Sequence, residues 1–364
     1  MKAAGIICEY NPFHNGHIYH IEKTRALTGC DVVICVMSGN FVQRGEPAII
    51  DKRLRCKAAL EHGVDIVIEL PFFYAMQSAE QFASGSVQTL ALAQVKDIVF
   101  GSESNNLTML NTLAQRTSMD YRTWMNNGCS SAQAHEAADG KLESNDILGW
   151  NYLKALKPYP IRAHCIQRTN FYHDTSLNQP FASAQALRKE LLSGNDVSSY
   201  TPMTFSSAAY HHLDDYYPYL RMLLLTFSSN DLRSLFMMDE GIEQLLKAKA
   251  VKCETLDSFL QATTSKRYST SRIRRTLIHL LHHTTKQQIN TLPPLHHIRI
   301  LGLNEMGKVY LKTLRKNNDV SVAVRFRQLP LIEQEILLKS AQLYGWPHNI
   351  KEAVAQELLP PVQI

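Results

Sequence analysis

The sequence predicts an α/β fold: a Rossmann-like parallel sheet in residues 1–200 and a mainly helical region in residues 201–364. Two observations carry this. Over the first hundred residues, short apolar, β-branched runs alternate with segments of helical length and periodicity, the pattern of βαβ units. Past "SGNDVSSYTP" that alternation stops and helical segments follow, placing a domain boundary near 195–205.

The elements follow in order. "AAGIIC" reads as a first strand, and "NGHIYHIEKTRAL" as a helix with Ile18, Ile21 and Leu27 inward. "DVVICVM" is a continuous apolar run, expected of a strand buried on both faces. "DKRLRCKAALEHG" is a helix with Asp51 as N-cap and Gly63 as its stop. "VDIVIELP" is a strand, "SAEQFASGSVQTLALAQ" a helix and "VKDIVFG" a fourth strand. Residues 106–144 read as a polar, helical insertion. A helix from about Ile147, a strand over 162–168 and a short helix over 183–192 complete this part. Residues 205–290 read as helices, and "HIRILGLN" as a late strand.

With 364 residues, 45% of them hydrophobic, the chain can bury the cores of two domains. No apolar run reaches the roughly 18 residues of a membrane helix. The N-terminus turns polar too early for a secretory signal, so a cytoplasmic location is expected, with no membrane partner. The seven cysteines form no C-x-x-C pair and predict reduced thiols. The fifteen histidines mostly lie apart from cysteine or carboxylate partners, so no structural metal site is expected. Residues 1–240 hold 20 Lys and Arg against 24 Asp and Glu, whereas residues 241–328 hold 16 against 5. Such asymmetry points to a polyanionic partner for the basic part.

Parallel sheets bind ligands at the carboxyl ends of their strands. The stretch "EYNPFHNGHIYH" follows the first strand and opens a helix. Unpaired N–H groups and the helix dipole favour an anion there. Gly16 is expected to give backbone room for a phosphate, with His14 and His17 flanking it. His20 lies one turn beyond on the same face. Imidazole donors aimed at a phosphate stabilise charge that builds during attack, which is the logic of adenylyl transfer.

H-N-G-H here resembles the H-x-G-H signature of the nucleotidyltransferase superfamily, which includes class I aminoacyl-tRNA synthetases and small-molecule adenylyltransferases. "SAQALRKEL" fits the basic late motif loosely, with Ser183 and Arg188 as candidate phosphate contacts. It is not I-S-S-T-x-I-R, there is no K-M-S-K-S, and a capped surface helix would also explain it. "GIICEYNPFHNGHIYH", "VMSGNFVQRGEPAIIDKRLR", "GVDIVIELPFFYAMQSAEQFASGSV", "FGSES", "NDILGWNYLKAL", "YHD" and "SKRYSTSRIRR" together are similar to the bacterial tRNA(Met) cytidine acetate ligase family, over about residues 1–315.

That resemblance implies an enzyme that uses ATP, with Mg²⁺ expected alongside the triphosphate, and free acetate. It would form acetyl-adenylate and acetylate the exocyclic amine of the wobble cytidine of elongator tRNA(Met); a DNA partner is not implied. The fold would be a nucleotidyltransferase domain plus a helical tRNA-binding domain. The ATP loop would run Ile7, Cys8, Glu9, Tyr10, Asn11, Pro12, Phe13, His14, Asn15, Gly16, His17, Ile18, Tyr19, His20, with His14 and His17 catalytic. Gly101, Asn145 and Arg168 would complete the nucleotide contacts. Asp146 departs from the asparagine that family members often carry. Gln43 and Arg44 fall in a Gly-bounded loop expected to be mobile, where Arg44 would meet acetate or phosphate, or only solvent.

Lys266, Arg267, Arg272, Arg274 and Arg275 cluster around Tyr268 and are the expected tRNA phosphate contacts. On that reading, charge reversal at Arg272 and Arg275 weakens RNA binding and spares ATP turnover. Two other readings stay open: a small-molecule adenylyltransferase of the H-x-G-H class, and a non-catalytic RNA-binding protein on that scaffold.

Overall fold

A computed structural model of the chain describes residues 1–116, 122–123, 140, 142–168, 181–205, 210–317 and 320–364. Most of the 106–144 insertion and the Y-H-D stretch at 172–174 lie outside the described residues.

The central sheet is mainly parallel, in the order β10-β8-β5-β2-β1-β6-β7. Its first-half strands are β1 (Ala3–Cys8), β2 (Val32–Ser38), β5 (Ile66–Leu70), β6 (Asp97–Ser102) and, at the edge, β7 (Arg162–Gln167). β2 and β5 are buried along their whole length, as continuous apolar runs require in a sheet covered on both faces. A separate two-stranded hairpin joins β3 (Phe41–Val42) to β4 (Glu46–Pro47), antiparallel.

The sheet crosses the expected boundary at 200/201. β8 (His297–Leu303) pairs antiparallel with β5, and both β9 (Ser321–Ala323) and β10 (Val362–Gln363) pair parallel with β8. "HIRILGLN" is thus the late strand expected, but it belongs to the first half's sheet. The C-terminal part is not one helical unit.

Helices over 213–290 pack around Leu220, Leu246, Phe259, Ile273 and Leu277. Phe41, Phe72, Phe73 and Met76 from the sheet half join the same core. His279 bonds the Met76 carbonyl at 2.8 Å, and His282 that of Ile336 at 3.2 Å. An apolar seam of this kind fixes two parts relative to each other. Among the described residues no helix is long and apolar enough to cross a membrane.

A buried ion network ties the C-terminal helix Ile350–Leu358 to the sheet. Lys52 Nζ lies 2.6 Å from Glu69 Oε1 and 2.8 Å from Glu357 Oε2, while Arg299 bonds both glutamates. Burial alone would raise the Glu357 carboxyl; Lys52 and Arg299 outweigh it and hold it below its ordinary value. Removing one member leaves an uncompensated buried charge. Lys52→Met should therefore cost about 3–5 kcal/mol of stability, read from urea unfolding.

Candidate active site

β1 pairs with β2 from Ala3 to Cys8, but with β6 only at Ala4–Asp97 and Gly5–Ile98. The carboxyl ends of β1 and β6 are therefore free of each other. This is also where the strand order turns back, with β2 and β5 on one side of β1 and β6 and β7 on the other. Ligands bind at such switch points. A cavity of about 860 Å³ lies here, lined by both strand tips.

His14 is the N-cap of the Asn15–Thr28 helix, in the extended conformation a cap requires. Its Nδ1 accepts from Gly16 N–H at 3.1 Å, and His17 Nδ1 accepts from His14 N–H at 3.1 Å. The helix thus starts with two histidines in the roles a capping box usually gives to Ser and Glu. A backbone N–H can only donate, so each Nδ1 must be the acceptor nitrogen. In the neutral ring the proton then sits on Nε2. The rings stack with centroids 3.8 Å apart. Burial lowers the His14 pKa to about 3, helped by the fields of Arg168 and Arg188. Burial also pushes His17 well below its ordinary value, helped by His14, His20 and Arg168. Both rings are neutral Nε2–H donors near pH 7.

Gly16 has a further reason beside the one expected. A Cβ there would lie 2.9 Å from His14 Cε1, so glycine leaves room for the capping imidazole itself. Of the expected ATP loop, Ile7, Cys8, Glu9, Tyr10, Asn11, His14, Gly16, His17, Tyr19 and His20 line the cavity, and Pro12, Phe13, Asn15 and Ile18 do not. Phe13 is fully buried and Ile18 packs on the same core. Asn15 faces away, bonding the Ser199 carbonyl at 3.0 Å. Asn11 accepts from Ile49 N–H at 2.7 Å, a loop brace. His20 Nε2 is 3.0 Å from the Val99 carbonyl, so it is tied to the sheet.

Gly101, Asn145 and Arg168 do come together. The Arg168 side chain lies across Gly101, where a Cβ would come within 3.2 Å of its Cγ, and its Nη1 is 3.3 Å from Asn145 Oδ1. Glu103, a residue the spacing did not single out, accepts from Asn145 Nδ2 at 2.5 Å and from Asp146 N–H at 3.0 Å. It thereby serves the N-terminus of the Ser144–Leu156 helix. Asp146 is buried and accepts from Ser102 Oγ at 2.5 Å and Ser104 N–H at 3.1 Å, latching that helix to β6. Its carboxylate is structural here. Ser183 and Arg188 also line the cavity. Ser183 caps its helix by accepting from Ala186 N–H at 3.1 Å; Arg188 donates to the Asn11 carbonyl at 2.8 Å.

The basic cluster of the helical half faces the same cavity. Arg267, Arg272 and Arg275 line it, as does Arg44. Arg267 and Arg272 flank Tyr268 and share Glu240 at 3.4 Å. Arg274 and Arg275 are not available as expected. Arg275 is buried and donates to the Gln43 carbonyl at 3.1 Å, and Arg274 pairs with Glu46. Both hold the β3–β4 hairpin, so residues 41–47 form a docked ribbon where a mobile loop was expected. Gly45, at φ 79°, permits this contact: a Cβ would run into the Arg274–Arg275 backbone. Charge reversal at Arg275 should therefore harm ATP turnover as well as RNA binding.

A histidine pair at a helix start, in a crevice at the sheet's switch point, defines a nucleotidyl-transfer site. The family model for HIGH Nucleotidyl Transferase matches residues 1–356. The tRNA(Met) cytidine acetate ligase of Geobacillus sp. is 37% identical, covering 98% of this chain and 98% of its own. That of Leuconostoc citreum is 41% identical over 90% of this chain and 88% of its own. The crystal structure of apo Thermotoga maritima TmcAL superposes with a TM-score of 0.89 at 28% identity, covering 100% of both chains. A second, bound with alpha-thio ATP, gives 0.88 over 100% of this chain and 99% of that one. The chain belongs to the tRNA(Met) cytidine acetate ligase family of HIGH nucleotidyl transferases.

Two outcomes follow. His14→Ser keeps an N-cap oxygen but removes the Nε2 donor, and should lower the rate of ATP turnover about 100- to 1,000-fold. Stability should fall as pH drops from the ordinary histidine value of 6.5 towards about 3, because the unfolded chain binds protons that buried His14 and His17 refuse. In urea unfolding, His14→Ser should make that fall shallower.

Proposed function

We propose that this chain activates acetate with ATP and acetylates the exocyclic amine of the wobble cytidine of elongator tRNA(Met). The observation that carries this is the pair of Nε2–H donors in a cavity that arginines of the basic helical half also line. An adenylate-forming site needs the first feature; transfer to RNA needs the second.

In the first step acetate attacks the α-phosphorus of ATP in line and pyrophosphate leaves. His14 and His17 donate to α-phosphate oxygens as charge builds on them, without changing protonation state. Arg188 adds positive field on the same side. Gly101, Asn145 and Arg168 form the group suited to the rest of the nucleotide. A divalent ion would enter with the phosphates and be held chiefly by them; among the described residues no three His, Cys, Asp or Glu gather as a cage. In the second step the cytidine swings out of its stack into the cavity and takes the acetyl group, releasing AMP. Lys266, Arg267 and Arg272 orient the RNA by its phosphates. The setting would be the cytoplasm, where tRNA is available.

A small-molecule adenylyltransferase has no use for arginines of a second half on its cavity. A non-catalytic RNA binder has no use for two rings held as Nε2–H donors. Mass spectrometry of tRNA(Met) incubated with the protein, ATP and labelled acetate should show one labelled acetyl group on one cytidine, with AMP formed in equal amount. ATP turnover that yields a small nucleotide and no acetylcytidine would replace this reading with the adenylyltransferase one.

A further inference from the structure

Glu9 stands at the tip of β1, in the cavity, immediately before the histidine loop. Its Oε1 accepts from Gln43 N–H at 2.7 Å. The carbonyl of the same Gln43 accepts from Arg275 Nη1 at 3.1 Å. The carboxylate is thus positioned through the backbone of Gln43 by the helical half. Arg44, Arg55 and Arg188 all exert a field on Glu9. Arg55 donates to the Glu9 carbonyl at 2.6 Å and Arg188 to the Asn11 carbonyl at 2.8 Å, so both are held on backbone oxygens beside the carboxylate. Tyr152, whose buried hydroxyl feels the charges of Cys8 and Glu9, lines the same cavity.

We propose that Glu9 is the general base of the acetyl-transfer step and the group that recognises the cytosine amine. This rests on the function proposed above. A carboxylate oxygen is the natural acceptor for the N4–H₂ of cytosine, the feature that distinguishes it from uracil. Oε1 is held by the hairpin, which leaves Oε2 for the base. N4 attacks the acetyl carbonyl carbon, forming the C–N bond. The acyl C–O bond to the phosphate breaks and AMP leaves as the anion. The proton lost from N4 passes to Glu9 and then to solvent. Burial raises the Glu9 carboxyl above its ordinary value against the pull of Gln43 N–H and of Arg44, Arg188 and Arg55, which makes its ionised form a better proton acceptor.

Glu9→Gln is isosteric and keeps an oxygen for Gln43 N–H, so it separates the two half-reactions. Adenylate formation is read by trapping with hydroxylamine, which needs no protein base; transfer is read as acetylcytidine in tRNA(Met) in a single turnover. Transfer should fall about 100- to 10,000-fold, and should do so at least 100-fold more than hydroxamate formation. Transfer within about threefold of the wild type would overturn the assignment. A parallel loss of both half-reactions would also overturn it, giving Glu9 to the nucleotide or the fold. Wild-type protein that forms hydroxamate but no acetylcytidine would overturn the proposed function, and this assignment with it.

Discussion

The start of one helix governs this site. Two backbone N–H groups that any helix leaves unpaired are taken up by the Nδ1 atoms of His14 and His17. The same bonds that begin the helix choose the tautomer of both rings. Capping and chemistry are therefore one constraint. Gly16 belongs to it, because any side chain there would displace the capping ring. Burial completes it by keeping both rings neutral, so they act as fixed dipoles rather than as cations. A fixed donor needs no reorganisation during reaction, which is the economy of a preorganised site.

The second constraint is that the helical half is part of the catalytic cavity rather than an appendage. Arg274 and Arg275 hold the hairpin, the hairpin holds Glu9, and Phe41, Phe72 and Met76 enter the helical core. β8, β9 and β10 then carry the chain back onto the sheet. RNA seated on the Arg267–Arg272 rim would lie against the wall that positions the chemistry. The architecture suits an enzyme whose reactive intermediate should meet its acceptor in one enclosed space.

Much of this was legible in the sequence. The four early strands follow from β-branched apolar runs, and the H-x-G-H loop from its place after the first of them. Gly101, Asn145 and Arg168 came from resemblance and do meet in space. What was not legible depends on long-range pairing. No local pattern says that 297–303 lies antiparallel beside 66–70, because a short apolar strand reads alike in either direction. Charge counting marked Arg274 and Arg275 as basic but could not see Glu46 and the Gln43 carbonyl, 228 and 232 residues away, that receive them. Asp146 and Glu103 form a latch that only the fold assembles.

The central claim is that His14 and His17 are neutral, Nε2-protonated donors. Imidazole ¹⁵N NMR of the protein, with the two rings assigned by single substitution, tests it most directly. The account predicts an acceptor-type Nδ1 and a protonated Nε2 in both rings, unchanged between pH 8 and about 5. An imidazolium at neutral pH, or a proton on Nδ1 of either ring, would contradict it.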